Sequence, residues 1–113
     1  MRLENPFSEK TRELFRGVWE CWECGENGTG TGGLEIHHIT GRDSSSAFNA
    51  SVLCKKCHEK KNHNQEEERF LFLITQKFLK AIGYIPIAND YQFITDHEYL
   101  VTDEYKMWLK NVV

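Results

Sequence analysis

The stretch SVLCKKCHEKKNH, residues 51–63, brings together a strand, a cysteine pair and a helix within one short segment. Its apolar start predicts a short β-strand that ends at Cys54, and the pattern becomes helical from about Lys55. Cys54 and Cys57 form a CxxC pair, and His58 follows directly. A CxxC turn supplies two thiolates from one tight loop, which is typical of a metal site. The stretch therefore predicts a metal-binding turn at a strand-to-helix junction.

A second CxxC pair, Cys21 and Cys24, lies upstream, and 29 residues separate it from the first cysteine of the later pair. Tetrahedral Zn²⁺ takes four thiolates, and two CxxC turns supply all four. We therefore predict a structural zinc site formed by Cys21, Cys24, Cys54 and Cys57. The alternatives are two disulfides, which a cytosolic chain disfavours, and a redox motif, which would occur once, at a helix start in a βαβ unit.

The stretch LEIHHIT, residues 34–40, predicts the other strand and contains the adjacent residues His37 and His38. Successive side chains of a strand point to opposite faces, so these two histidines have different surroundings. If the strand lies against the helix start, His37 and His58 can share a metal ion. His38 then stays available as a general base. The alternative is that both are half-buried strand residues without a chemical role.

The chain has five histidines, and the remaining two are less informative. Asn62 lies one helical turn after His58 and shares its face. His63, one position further, is open between a third metal ligand, a phosphate contact and a bystander. His97 has no sequence partner, and we predict a surface or structural role for it.

Taken together, CWEC, LEIHHITGR and FNASVLCKKCH resemble the zinc-bearing branch of the HNH endonucleases, which are ββα-metal (His-Me finger) nucleases. The resemblance covers about residues 21–63, and the HHI-x-GR variant is similar to bacteriophage and mobile-element members. It implies an α+β fold with a small ββα-metal core that is cross-linked by the four-cysteine zinc site. Helices at the N-terminus and C-terminus flank this core.

The resemblance also implies a role for individual residues. His38 corresponds to the family's general base, and Asn49 corresponds to the residue that orients this base and braces the loop. The metal ligands that the resemblance implies are His37, His58 and, as alternatives for a further ligand, Asn62 and His63. The loop between His38 and Asn49 is shorter than in many members, and the proline often found after the histidine pair is absent.

Basic residues near this site predict contacts with the DNA backbone. Net charge is −3, yet residues 1–63 hold nine Lys and Arg against nine Asp and Glu, whereas residues 64–113 hold five against eight. Backbone contacts need a local basic stripe rather than a basic protein. The candidates are Lys55, Lys56, Lys60 and Lys61, together with Arg42, whose phosphate contact is implied by the resemblance. The alternative for each lysine is a solvated helix face.

We therefore expect a metal-dependent DNA endonuclease, a hydrolase that uses a histidine general base and one divalent ion (Mg²⁺, or Mn²⁺, Ni²⁺ or Zn²⁺). It would nick or cut double-stranded DNA with low sequence specificity. The main alternative is a non-catalytic, zinc-stabilised module that binds nucleic acid or protein. A redox or metal-storage protein would be a third class, with readily titrated thiols.

The whole chain, residues 1–113, is predicted to be a single domain, with 40% hydrophobic residues. An N-terminal helix over 1–20 is capped by Ser8, and 64–113 forms a helical extension. The apolar face of the N-terminal helix carries Leu14, Phe15, Val18 and Trp19. The long helix of this extension ends at Gly83, and its apolar residues at spacing four are Phe70, Ile74, Phe78 and Ile82. Residues 84–94 form a short strand or irregular chain, and a last amphipathic helix follows Asp103.

The composition also bears on location and partners. No apolar run reaches membrane-spanning length, and the first residues do not form a signal peptide, so we expect a cytoplasmic protein of a bacterial or phage-infected cell with no membrane partner. For the C-terminal extension we favour packing in the core. A homodimer or a protein partner bound through this extension are the alternatives.

Overall fold

The two predicted strands pair to form an antiparallel sheet. The computed structural model describes residues 7–27, 33–41, 44–60, 64–103 and 106–107. Strand β1 spans Leu34–His38 and strand β2 spans Ala50–Cys54. In their register, Leu34 lies opposite Cys54, and His38 lies opposite Ala50. One end of the sheet therefore carries a cysteine, and the other end carries the histidine pair.

Four helices and two 3-10 turns accompany this sheet within the described residues. In chain order they are α1 (Glu9–Leu14), a 3-10 turn (Ala47–Asn49), α2 (Lys55–Lys60), α3 (Gln65–Ala81), α4 (Ala88–Asp96) and a 3-10 turn (Glu98–Leu100). Strand β2 runs directly into α2, which packs against both strands. The predicted mixed α and β class is confirmed, and the ββα order is consistent with a ββα-metal core.

The N-terminal helix is shorter than the predicted span of 1–20. Ser8 caps its first turn as expected, with the hydroxyl accepting a backbone hydrogen bond at 3.1 Å. The helix ends with Phe15 as its C-cap, two residues before Gly17, whose backbone freedom disfavours a helix interior. Trp19, predicted on the apolar face, lies beyond this end and is 80% exposed.

Helix α3 ends where the sequence predicts. Gly83 has a φ of +76°, a conformation that glycine adopts without steric penalty. Its N–H donates to the carbonyl of Lys80 at 3.1 Å, and the N–H of Tyr84 donates to the carbonyl of Leu79 at 3.0 Å. This pair of bonds is a Schellman motif, which closes the last turn of the helix.

The buried face of α3 is displaced from the apolar stripe that the sequence shows at spacing four. Phe70 and Ile82, the two ends of that stripe, are exposed. The buried positions of the helix are Leu71, Phe72, Thr75, Gln76 and Leu79. Thr75 donates its hydroxyl hydrogen bond to the carbonyl of Ala50 at 2.7 Å. Thr75 can be buried because it forms a hydrogen bond with β2. Apolar periodicity alone does not reveal such a buried polar position.

The prediction of a short strand or irregular chain over 84–94 is wrong, because this segment contains most of α4. The helix has Ile87 at its N-cap position, so the usual polar capping signal is missing from the sequence. Instead, the carboxylate of Asp90 accepts the backbone N–H of Ile87 at 2.9 Å. The last predicted helix, after Asp103, falls mostly outside the described residues.

One apolar core joins the sheet to the helical extension. It contains Phe48 and Leu53 from the sheet region, Leu71 from α3 and Phe93 from α4, all with almost no exposed surface. The described part of the C-terminal extension therefore packs as core. Within the described ranges, the structure has no helix with both the length and the apolar character needed to span a bilayer.

Candidate active site

The four cysteines converge at the end of the sheet where Leu34 lies opposite Cys54. The sulfur atoms of Cys21, Cys24, Cys54 and Cys57 all lie within 4.8 Å of one another. None of the four is in a disulfide. The Sγ atoms of Cys24 and Cys54 are 3.8 Å apart, and sulfurs at about 2.3 Å from a tetrahedral Zn²⁺ would be about 3.8 Å apart. This donor set is positioned to hold a metal ion.

Local hydrogen bonds and crowding favour a cation among these sulfurs. The N–H of Glu23 points at Cys21 Sγ and the N–H of Cys57 points at Cys54 Sγ, both at 3.4 Å. Burial, together with the neighbouring Cys54 thiol, raises the pKa of the Cys57 thiol. A divalent cation reverses this effect because it stabilises the thiolate form of every ligand.

At the other end of the sheet, the two adjacent histidines have different neighbours. His37 is buried, and its ring lies edge-on to the ring of His58, with centroids 4.6 Å apart. His38 is 8% exposed and stacks face to face on Phe7, with centroids 4.0 Å apart and planes 14° apart. Strand alternation therefore separates the predicted metal ligand from the predicted base.

Glu35 joins this site, although sequence reasoning did not select it. It lies two residues before His37, on the same face of β1, and its Oε1 is 2.9 Å from Nδ1 of His58. A carboxylate only accepts, so Nδ1 carries the proton and Nε2 of His58 is the ring atom that can bind a metal. Glu35 and His58 share an open depression of about 330 Å³ with Lys55 and Glu59. The sequence could have indicated Glu35, because residues two apart on a predicted strand, such as Glu35 and His37, lie on the same face.

Asn49 is fully buried, and its side-chain amide makes all of its hydrogen bonds with the loop after β1. Its Oδ1 accepts the N–H and the hydroxyl of Thr40 at 2.9 and 3.1 Å. Its Nδ2 donates to the carbonyls of Gly41 and Ser44 at 3.0 and 2.9 Å. Four bonds complete the amide's inventory. The geometry therefore provides the bracing of the loop, and an effect of Asn49 on His38 runs through the backbone.

The predicted DNA contacts are described only in part. Lys55 and Lys56 are exposed in the first turn of α2, and Lys60 is the last residue of that helix. The phosphate contact predicted for Arg42 and the roles predicted for Lys61, Asn62 and His63 fall outside the described residues. The catalytic ion and all of its ligands stay predictions.

His97 lies away from β1 in sequence and has a local partner of its own. Its Nδ1 lies 2.8 Å from the carbonyl oxygen of Phe93, one turn earlier in α4. The two rings also pack together, with centroids 4.4 Å apart. These contacts fit the predicted structural role, because they close the end of the helix.

The comparisons with known proteins bear on the same segment. Residues 21–64 match the family model described as HNH endonuclease. No curated protein and no solved structure gives a significant match. The matched residues contain the four cysteines, the adjacent histidines, Asn49 and His58, whereas α3 and α4 follow them. HNH nucleases act on DNA, and the domain supports a nuclease-type function in general. The likeness to the HNH endonuclease family therefore covers residues 21–64, which contain the candidate site.

Proposed function

We propose that this protein is a metal-dependent DNA endonuclease in which His38 is the general base and His37 and His58 hold one divalent ion. The observation that supports this proposal most directly is the contact between the rings of His37 and His58, 4.6 Å apart, beside a differently oriented His38. A strand and a helix thus bring two imidazoles together at one point. A purely structural pair of buried strand residues would not need the partner from α2.

The chain's own groups account for the parts of a hydrolytic reaction. When bound, the divalent ion would relieve negative charge on the scissile phosphate and stabilise the leaving oxygen. Glu35 orients His58 through Nδ1, which leaves Nε2 as the metal-binding atom. Phe7 fixes the ring of His38 by contact with one face, whereas the ring nitrogens lie at the edge. His38 would then take a proton from the attacking water.

For the four-cysteine site we propose a structural Zn²⁺. Its ligands would be Cys21, Cys24, Cys54 and Cys57, whose sulfurs already lie within 4.8 Å of one another. Four protein ligands fill a tetrahedral shell and leave no position for water or substrate. This closed ligand set is therefore assigned to stability, and the histidine site is assigned to chemistry.

We further propose that DNA lies across the start of α2. Lys55 and Lys56 are exposed there, and Lys55 lines the same depression as His58. Lysine contacts with phosphate carry no sequence information, so we expect low sequence specificity. Arg42, Lys60 and Lys61 would extend this contact.

The decisive experiment is a nicking assay on supercoiled plasmid with Mg²⁺, Mn²⁺ or Ni²⁺. His38→Ala should lower the rate by about 10²- to 10⁴-fold, the usual contribution of a general base. His97→Ala is the matched control, since it removes an imidazole that hydrogen-bonds within α4. It should stay within a few-fold of wild type.

Two results would count against the proposal. Nicking by His38→Ala at the wild-type rate, in preparations free of contaminating nuclease, would remove His38 as the base. Wild-type protein that binds DNA in gel shifts but cuts with none of the ions would favour the alternative, a zinc-stabilised binding module.

A further inference from the structure

A carboxylate lies completely buried at the start of α4, outside the HNH segment. Asp90 has no exposed surface and accepts three hydrogen bonds. The donors are the hydroxyl of Ser46 at 2.6 Å, the hydroxyl of Tyr84 at 2.5 Å and the N–H of Ile87 at 2.9 Å. A buried carboxylate is unfavourable unless it is hydrogen-bonded, so packing alone would favour an apolar residue here. The three hydrogen bonds account for a carboxylate at this position.

Ser46 transmits this contact to a 3-10 turn. Its hydroxyl donates to Asp90 and accepts the N–H of Phe48 at 3.1 Å, as N-cap of the turn. A hydroxyl can donate only one hydrogen bond, and Ser46 donates it to the carboxylate of Asp90. An oxygen lone pair of Ser46 is therefore turned towards the N–H of Phe48. The carbonyl of Ser46 also accepts the N–H of Asn49 at 2.9 Å. Asp90 thereby fixes the cap of the turn that ends in Asn49.

From Asn49 the same network reaches the end of β1. The backbone carbonyl of Asn49 accepts the N–H of Ile39, the residue after His38, at 2.7 Å. Its side chain holds Thr40. Asp90, Ser46, Asn49 and Ile39 are each at most 1% exposed. Water therefore cannot replace a bond that is lost along this path.

We propose that Asp90 is a positioning residue for the HNH site, acting through Ser46 and Asn49 on the backbone that presents His38. The predicted effect of Asp90 on catalysis rests on the proposed nuclease function, whereas its predicted effect on the loop does not. Asp90 follows the matched segment by 26 residues. The HNH loop in this chain thus obtains part of its rigidity from the C-terminal extension.

Four variants separate this role from a general loss of stability. Ser46→Ala breaks the path, and Ser46→Thr retains the hydroxyl and should rescue it. Asp90→Asn keeps one acceptor oxygen but places an NH₂ group where donors already converge. Tyr84→Phe is the matched control, because Tyr84 bonds Oδ2 of Asp90 whereas Ser46 bonds Oδ1. It removes one bond to the same carboxylate and keeps the ring that packs edge-on against Phe48 of the turn.

Amide hydrogen exchange of the zinc-loaded, full-length chain gives a readout independent of activity. In Ser46→Ala and Asp90→Asn, the amides of Ile39 and Thr40 should exchange about tenfold faster, with α3 amides unchanged, as expected when one bond to a charged group is lost. Ser46→Thr and Tyr84→Phe should match wild type. In plasmid nicking, Ser46→Ala and Asp90→Asn should lower kcat about tenfold and leave KM within about twofold.

Several outcomes would overturn the proposal. Wild-type protection of Ile39 and Thr40 in Ser46→Ala would do so, as would equal loss of protection in Tyr84→Phe. If the wild type is active and Ser46→Ala has the same kcat, the contact between Asp90 and Ser46 does not contribute to catalysis. If Asp90→Asn does not fold, the comparison of the two Ser46 variants decides. An inactive wild type would refute the proposed nuclease, while the exchange data still decide the loop.

Discussion

The two ends of the two-stranded sheet gather metal-binding side chains in different ways. At the end where Leu34 lies opposite Cys54, four thiols converge and none is left over. At the other end, the rings of His37 and His58 meet, while the ring of His38 lies against Phe7. Four residue steps along β1, about 13 Å, separate the two rungs.

Under the proposed function, this difference separates the residues that stabilise the fold from the residues that carry the chemistry. Five-residue strands in a two-stranded sheet are marginal without further support, which a metal ion bound to the four sulfurs would supply. The histidine end would then be left to bind the proposed catalytic ion. The comparison predicts that changes at the cysteine end affect folding, whereas changes at the histidine end affect metal-dependent activity.

The largest effect should follow removal of the metal from the cysteines. A strong chelator should unfold the domain, because structural zinc contributes roughly 10–16 kcal/mol in small zinc domains, whereas whole domains have about 5–15 kcal/mol of stability. Far-UV circular dichroism and zinc release would be followed together. A native spectrum after complete zinc release would show that the cysteine cluster does not support the fold.

At the histidine end, His37→Ala and His58→Ala should each lower plasmid nicking by about 100-fold or more, because metal charge stabilisation contributes several kcal/mol. Bound zinc and the cooperative unfolding transition should be retained. Cys57→Ser, one residue before His58, serves as the matched control and should lose zinc. Loss of zinc from His58→Ala would mean that the two ends are not independent.

A smaller effect should come from Glu35, which hydrogen-bonds His58 without being a proposed ligand. Glu35→Gln keeps the shape but loses the charge, and it should weaken Mn²⁺ binding by about 10- to 100-fold, measured by titration calorimetry. Glu59→Gln, in the same depression, is the control and should bind Mn²⁺ nearly as well as wild type. Equal losses in both variants would point to a general charge effect.

The smallest effect concerns the basic residues at the start of α2. Lys55→Ala and Lys56→Ala should each weaken DNA binding modestly and reduce the slope of log K against log salt by about 1. Lys77→Ala, an exposed change in α3, should leave this slope unchanged. Fluorescence anisotropy over a salt series would measure all three. Unchanged slopes for both α2 variants would place the DNA elsewhere.

Much of the fold was predictable because its signals are local. The two CxxC pairs, the strand composition and the glycine after α3 each depend on a few neighbouring residues. Helix α4 was not predictable in this way, since its first turn relies on Asp90, which also bonds Ser46, 44 residues earlier. The early end of α1 likewise left Trp19 exposed, although the apolar periodicity continued.

In the candidate site, too, contacts that depend on neighbouring residues were predictable, whereas a contact between distant segments was not. Strand alternation and the turn at Cys57 were enough to predict that His37 lies near His58 and that His38 faces elsewhere. Glu35 was within reach of that reasoning, because it shares a strand face with His37. The stacking of Phe7 on His38 was not, because 30 residues separate the two and no spacing rule joins them.

The ring of Phe7 has a practical consequence for anyone who wishes to transplant the proposed catalytic unit. A graft of residues 21–64 into another scaffold would carry the cysteines and histidines, yet it would leave His38 without the aromatic surface that covers it. The loop would also lose its buried carboxylate. The portable unit is therefore larger than the motif, and a successful chimera has to bring both flanking segments or rebuild their contacts.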